Sequence, residues 1–281
     1  MKENPPNNFL GIEEVDPKDA EVLIIPIPLE ATVSYGKGTG KGPEGIIKAS
    51  QHVELYDHEL GYEVDSHTKI ATLPAIVFPE QNSQIAQSII AKTVESLTDK
   101  FILSLGGEHS ITPALVGEYQ KKYPDLSILY FDAHTDMREE WGGTKWSHAC
   151  AARRCQEGGI KNIVWVGTRN TALSEQQYIN KEQVNYGNTY DLKKILSQLS
   201  EHVYISFDVD CFDVSTMPAT GTPEPGGIGW YQAMEIFEAV TREKNVVGAD
   251  IAECAPITGF HGYDFLVAKL AFKLIGYKFR K

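Results

Sequence analysis

Apolar residues in this chain fall into short, nearly unbroken runs separated by longer stretches of helical periodicity. "EVLIIPIP" (Glu21 to Pro28), "FILSLGG" (Phe101 to Gly107), "LSILYFD" (Leu126 to Asp132), "NIVWVGT" (Asn162 to Thr168), "VYISFDVD" (Val203 to Asp210) and "VVGADIAE" (Val246 to Glu253) predict strands, being short and mostly β-branched or apolar. Between them, Ile85, Ile89, Ile90, Val94 and Leu97 share one face of a predicted helix, and "ITPALVGEYQKKY", "YQAMEIFEAVTRE" and "YDFLVAKLAFKLIGYK" repeat that spacing. Strands apolar on both faces and alternating with helices predict an α/β fold, with a central, mostly parallel sheet inside a three-layer αβα sandwich. No repeat, low-complexity tract or linker interrupts the 281 residues, so a single domain over 1–281 is expected.

Polar residues break the pattern where the strands should end. "SLGGEHS" carries Glu108 and His109, "LYFDAHTD" Asp132, His134 and Asp136, "ISFDVDCFD" Asp208, Asp210 and Asp213, and "ADIAECAP" Asp250 and Glu253. Open α/β sheets bind ligands at the carboxyl ends of their strands, which makes these clusters candidate site residues. Residues two apart on an extended strand share a face, so Asp208 and Asp210 should converge, as should Asp132, His134 and Asp136 if that strand stays extended past its end. Carboxylates held close together repel, and burying them requires protons or cations. Lys and Arg are scarce in these segments, so divalent cations are expected, and six ligands suit two of them. Four carboxylates and two imidazoles without a thiolate favour Mn²⁺ and leave Zn²⁺, Co²⁺ or Ni²⁺ open. A metal pair of this kind shares carboxylates and a water whose pKa it lowers, which predicts a binuclear metallohydrolase.

Composition narrows the partners. A formal net charge of -12 argues against nucleic acid and anionic membrane surfaces and favours cationic partners. No apolar run reaches the ~18 residues of a membrane span, and "MKENPPNNFLGIEEV" has Pro and Asn where a signal peptide is apolar. Cys150, Cys155, Cys211 and Cys254 show no CxxC spacing, which fits inert thiols in a reducing compartment, and a cytoplasmic location is expected.

"LGGEHSIT", "FDAHTDM" and "SFDVDCFDVSTMPATGTPEPGG" together resemble the three metal-binding signatures of the ureohydrolase family, which contains arginases and agmatinases. "ATVSYGKGTGKGPEGIIKAS" is similar to the family's N-terminal Gly-Pro helix start and "DIAECAP" to its late glutamate motif. The resemblance implies an arginase-like fold, two Mn²⁺ per chain, hydrolysis of a guanidinium group to urea and an amine, and a homo-oligomer, trimer or hexamer. By motif, it implies that His109, Asp132, Asp136 and Asp208 hold one ion and Asp132, His134, Asp208 and Asp210 the other, with Asp132 and Asp208 bridging. It further implies that Asp136 steadies the tetrahedral intermediate, Glu253 grips the guanidinium and His148 protonates the leaving amine.

The loop "MREEWGGTKW" lacks the Asn, Ser and Thr pattern with which arginases hold an α-carboxylate. Glu139 and Glu140 are expected to attract a second cation instead, which points to agmatine, hydrolysed to urea and the polyamine putrescine. N1-aminopropylagmatine is the alternative, arginine and guanidinobutyrate fit less well, and a single-metal deacetylase-like enzyme or a non-catalytic relative is the reading from another class. Glu108 is expected to be a helix-start acid outside the site and Asp213 to cap the loop that follows it.

Overall fold

Eight strands form one sheet in the computed structural model, which describes residues 6–280. Residues 1–5 and 281, and with them the start of the N-terminal segment and both predicted domain limits, lie outside the described residues. The strands are β1 (Val22–Ile27), β4 (Ile70–Thr72), β5 (Phe101–Gly106), β6 (Ser127–Phe131), β7 (Ile163–Thr168), β8 (Val184–Tyr186), β9 (His202–Asp208) and β10 (Asn245–Ala252), ordered β4-β1-β5-β10-β9-β6-β7-β8. Every pairing in this sheet is parallel, so all carboxyl ends leave at one edge. A separate antiparallel pair, β2 (Tyr56–Asp57) and β3 (Tyr62–Glu63), is pinned by the buried Lys273, whose Nζ lies 2.9 Å from Asp57 Oδ1 and 2.5 Å from Glu59 Oε2.

Strand alternation divides the core in two. Leu103, Leu129, Phe131, Val164, Ile205 and Phe207 point to one side, which is filled by helices α1 (Gly42–Ser50), α6 (Leu192–Gln198), α7 (Trp230–Glu243) and α8 (Gly262–Lys278). Ile102, Ile128, Tyr130, Trp165 and Tyr204 point to the other, where α3 (Ser83–Val94), α4 (Thr112–Lys122) and α5 (Ala151–Glu157) pack. This is the expected three-layer sandwich. The short α2 (Val64–His67) follows the hairpin. Local chemistry sets the helix starts: Pro43 and Pro113 lie in the first turns of α1 and α4, while Asn82 and Asp191 accept the backbone N–H of Ile85 and Lys194, each at 3.1 Å. Among the described residues no helix is long and apolar enough to cross a membrane.

One contact in the sheet builds the site directly. Past their ends β1 and β5 stay paired, with Gly107 N–H donating to Ile27 O and Glu108 N–H to Leu29 O, both at 2.8 Å. The approach leaves no room for a side chain, because a Cβ on Gly107 would run into the Leu29 carbonyl. Gly107→Ala should therefore cost about 1–3 kcal/mol or more of stability, read as a lower denaturation midpoint in urea. A midpoint equal to that of the parent would show that the two strand ends separate freely.

Candidate active site and metal centre

The candidate ligands leave the ends of β5, β9 and β6, and Glu253 leaves the end of β10, which lies between β5 and β9. Their convergence comes from turns that begin where the strands stop, which corrects the expectation from strand alternation. β9 ends at Asp208, whose Oδ1 accepts the Asp210 N–H at 2.9 Å and closes the short turn Val209–Cys211. β6 ends at Phe131, and Asp132 Oδ1 accepts the His134 N–H at 2.6 Å, folding that segment back in the same way. Asp210 Oδ1 then accepts the Ala133 N–H at 3.0 Å and ties the two segments together. Arg169 stiffens the far side by donating to the carbonyls of Gly167, Asp210 and Glu224 at 2.6, 2.8 and 2.9 Å. Asp136 and Glu253 have φ of +49° and +65°, a left-handed conformation uncommon for residues with a Cβ and concentrated at functional sites.

The turns bring all six predicted ligands together. His109 Nδ1 lies 3.1 Å from Asp132 Oδ2, 3.3 Å from Asp136 Oδ2 and 3.4 Å from Asp208 Oδ2, while His134 Nδ1 lies 3.1 Å from Asp210 Oδ2 and 3.4 Å from Asp132 Oδ1. Two groups with metal-ligating geometry result, His109–Asp132–Asp208 and Asp132–His134–Asp210. Asp132 belongs to both, as expected of a bridge, whereas Asp208 belongs to the first alone. Asp136 borders the first group and accepts the Tyr130 hydroxyl at 2.9 Å. Behind His109, Nε2 lies 2.9 Å from Ser206 Oγ, which donates to Asp250 Oδ1 at 2.9 Å, so Asp250 braces the site from below.

The donor set fits divalent cations. Asp132 Oδ2 is buried without a hydrogen-bond partner, and among the described residues no Lys or Arg pairs with any of the four aspartates. Burial, followed by the neighbouring carboxylates, pushes the Asp132 carboxyl up to about 6 and that of Asp208 well above the ordinary range. These groups ionise readily only beside added positive charge. A pair of divalent ions bound there would supply Lewis-acid polarisation and an activated water.

Above the aspartates opens a cavity of about 350 Å³ whose wall includes His148, Glu253, Arg138, Trp141 and Glu175. Glu253 is fixed by the His109 N–H, which donates to Oε1 at 2.8 Å, and its carboxyl is raised well above normal by burial and then by the charge of Glu108. Burial lowers the His148 imidazole below its ordinary value, against the pull of Asp136 and Glu108, so it is neutral near pH 7.

One sequence expectation fails here. Glu139 and Glu140 do not line the cavity: both are exposed, and Glu139 lies 3.3 Å from Arg153 Nε and 3.4 Å from Arg154 Nη2 of α5. Arg138 faces the cavity instead, its guanidinium 4.4 Å over the Trp141 ring. Glu108 stands at the start of the helical turn His109–Ile111 and outside the cavity lining, as expected, but it is fully buried and accepts the N–H groups of Ala31 and Thr32 at 2.6 and 2.5 Å. Asp213 caps its loop as expected, accepting from Ser215 and Gly226, and these bonds hold its carboxyl down at about 2. All four cysteines are buried and free.

Sequence reasoning missed Thr32, Ser34, Tyr130 and Glu175. Glu175 and Ser34 follow the predicted strands "NIVWVGT" and "EVLIIPIP", so the strand-end rule that found the aspartates also pointed to them. Glu175 is buried in the wall, accepting from Met137 N–H at 2.9 Å and from the Ala172 N–H.

Fold and site together define a metal-dependent hydrolase of the α/β class. The Arginase family model matches residues 20–276, and the chain belongs to that family, whose members hydrolyse guanidino compounds. It is 35% identical to an agmatinase of Pyrococcus horikoshii over 277 residues, 95% of each chain. It is 33% identical to an N(1)-aminopropylagmatine ureohydrolase of Synechocystis over 288 residues, covering 97% of this chain and 94% of the relative. The structure superposes on the agmatine ureohydrolase of Thermoplasma volcanium with a TM-score of 0.84 and 25% identity, covering 99% and 94% of the two chains.

Proposed function

We propose that this protein hydrolyses agmatine to urea and putrescine, with two manganese ions held by His109, Asp132, His134, Asp136, Asp208 and Asp210. The charge of the cavity wall carries this reading. Once the aspartates serve the ions, Glu253 and Glu175 remain against the single cation Arg138, a balance suited to a substrate with two positive ends. Glu253 matches the planar fork of a guanidinium and orients its carbon, while Glu175 supplies the charge for the distal ammonium. Oxygen and imidazole ligands without thiolate support manganese. His148, neutral and at the cavity wall, takes up a proton and delivers it to the leaving amine nitrogen.

A second reading, N1-aminopropylagmatine, is favoured by one feature. A cleft of about 740 Å³ adjoins the first cavity and shares Val33, Ser34 and Trp141 with it, leaving space for a longer tail.

Urea release from a panel of guanidino compounds with Mn²⁺ tests both readings. Agmatine or its aminopropyl derivative should exceed arginine and 4-guanidinobutyrate by about tenfold or more in kcat/KM. Glu175→Gln should narrow that margin, and Glu139→Gln and Glu140→Gln should leave it unchanged. A preference for arginine or guanidinobutyrate would assign Arg138 the carboxylate and overturn the proposal.

A further inference from the structure

The hydrogen-bond inventory around His148 fixes more than its position. Glu108 has four donors on its carboxylate: the N–H groups of Ala31 and Thr32, the Thr32 hydroxyl at 2.8 Å and the Ser110 hydroxyl at 2.5 Å. Two carboxylate oxygens offer about four acceptor sites, so all are filled. The Thr32 hydroxyl has one hydrogen, and it goes to Glu108 Oε1. Its oxygen can then only accept, and it faces two groups of His148: the backbone N–H at 3.0 Å and ring Nδ1 at 3.1 Å. If Nδ1 carried no hydrogen, two lone pairs would confront each other across that distance. Ser147 Oγ, 3.4 Å from Nδ1, is the other neighbour and lies too far to replace this bond. On the opposite side of the ring, Nε2 lies 2.9 Å from Ser34 Oγ, which accepts the Trp141 indole N–H at 3.0 Å and so has its own hydrogen free to donate to Nε2. Ser34 is exposed and lines the cavity.

We infer that Glu108 and Thr32 are positioning residues that hold His148 as its Nδ1–H tautomer, leaving Nε2, opposite Ser34, as the nitrogen that exchanges the proton. The inference rests on the reading of His148 as the group that protonates the leaving amine. Glu108 and Thr32 lie outside the lining of the cavity above the aspartates, and their side chains hydrogen-bond to none of the six ligands. They act through the imidazole, in the manner of a carboxylate that sets the tautomer of a catalytic histidine, with a hydroxyl placed between them. Nε2 takes up a proton from the solvent side by way of Ser34 and gives it to the leaving amine, which returns the ring to its neutral Nδ1–H form. The paired exits of β1 and β5, with their side-chain-free crossing at Gly107, bring Thr32 onto Glu108.

Two measurements test this. The first needs no turnover: two-bond ¹H–¹⁵N spectra of ¹⁵N-histidine-labelled protein with Zn²⁺ as a diamagnetic ion, His148 being assigned by the signals lost in His148→Asn. The Nδ1–H pattern is expected near neutral pH, giving way to the Nε2–H form or a mixture in Thr32→Val and returning in Thr32→Ser. An Nε2–H tautomer in the parent protein would overturn the inference whichever guanidino compound is the substrate. The second uses the best substrate of the panel: Thr32→Val should lower kcat about 10- to 100-fold with KM and metal content nearly unchanged, and Thr32→Ser should recover most of it. Adding Thr32→Val to His148→Ala should cost nothing further, since the hydroxyl acts through the ring. A full additional loss in the double variant would show that Thr32 works elsewhere.

Discussion

Stripped of divalent cations by a chelator, the protein should lose urea release by at least about 10³-fold, because Lewis-acid assistance contributes several kcal/mol and each 1.4 kcal/mol is a factor of ten. Manganese should restore it, with metal content approaching two ions per chain, one for each ligand group. The groups are not equivalent. Asp132 serves both, so Asp132→Ala should empty both positions, whereas Asp210→Ala should spare the group built on His109, Asp132 and Asp208. Full turnover in a preparation shown by elemental analysis to contain no metal would refute the metal centre. Equal metal loss in the two variants would refute the bridge alone.

Glu253→Gln should lower kcat/KM by about 10²- to 10³-fold while leaving metal content and thermal stability close to those of the parent. The amide keeps the shape and accepts the His109 N–H, but it no longer offers a charged, two-oxygen partner to a guanidinium inside a buried site, a contact worth about 2–5 kcal/mol. Because burial and Glu108 make the isolated carboxylate unfavourable, a guanidinium bound against it should stabilise it, and the loss should appear in KM as well as kcat. Activity within a few-fold of the parent would mean that Glu253 is a structural acid at a strand end.

The sheet was legible because buried parallel strands write themselves as apolar runs, and the candidate ligands were legible because acids placed directly after such runs have few other reasons to be there. Short strands left no such mark: β4 and β8 span three residues each. Alternation brought Asp210 to Asp208 and kept Glu108 off the cavity, and both outcomes hold for a different reason, since both residues lie past the strand ends, where hydrogen bonds to Asp208 Oδ1 and from Ala31 and Thr32 govern the direction. Glu139 and Glu140 were read from their neighbours in sequence, although α5 supplies Arg153 and Arg154 to hold Glu139 outside the cavity. A loop's charge says little about which way it faces until its long-range partners are known. Glu175 and Thr32 were missed for the converse reason, since their partners Met137 and Glu108 lie far from them in the chain.

The position of β10 has a consequence for synthesis. It lies between β5 and β9, yet it is the last strand to leave the ribosome. Until residues 245–252 emerge, the strands of β4-β1-β5 and of β9-β6-β7-β8 lack the one that joins them, and the apolar β5 and β9 have no partner on their inner edges. Such edges are where newly made chains pair with one another, and chaperone dependence is expected to be greatest during this interval. Loss of the final strand would accordingly split the sheet through its middle and take His109 away from Asp132 and Asp208, while Asp132, His134 and Asp210 stay together on the ends of the paired strands β6 and β9.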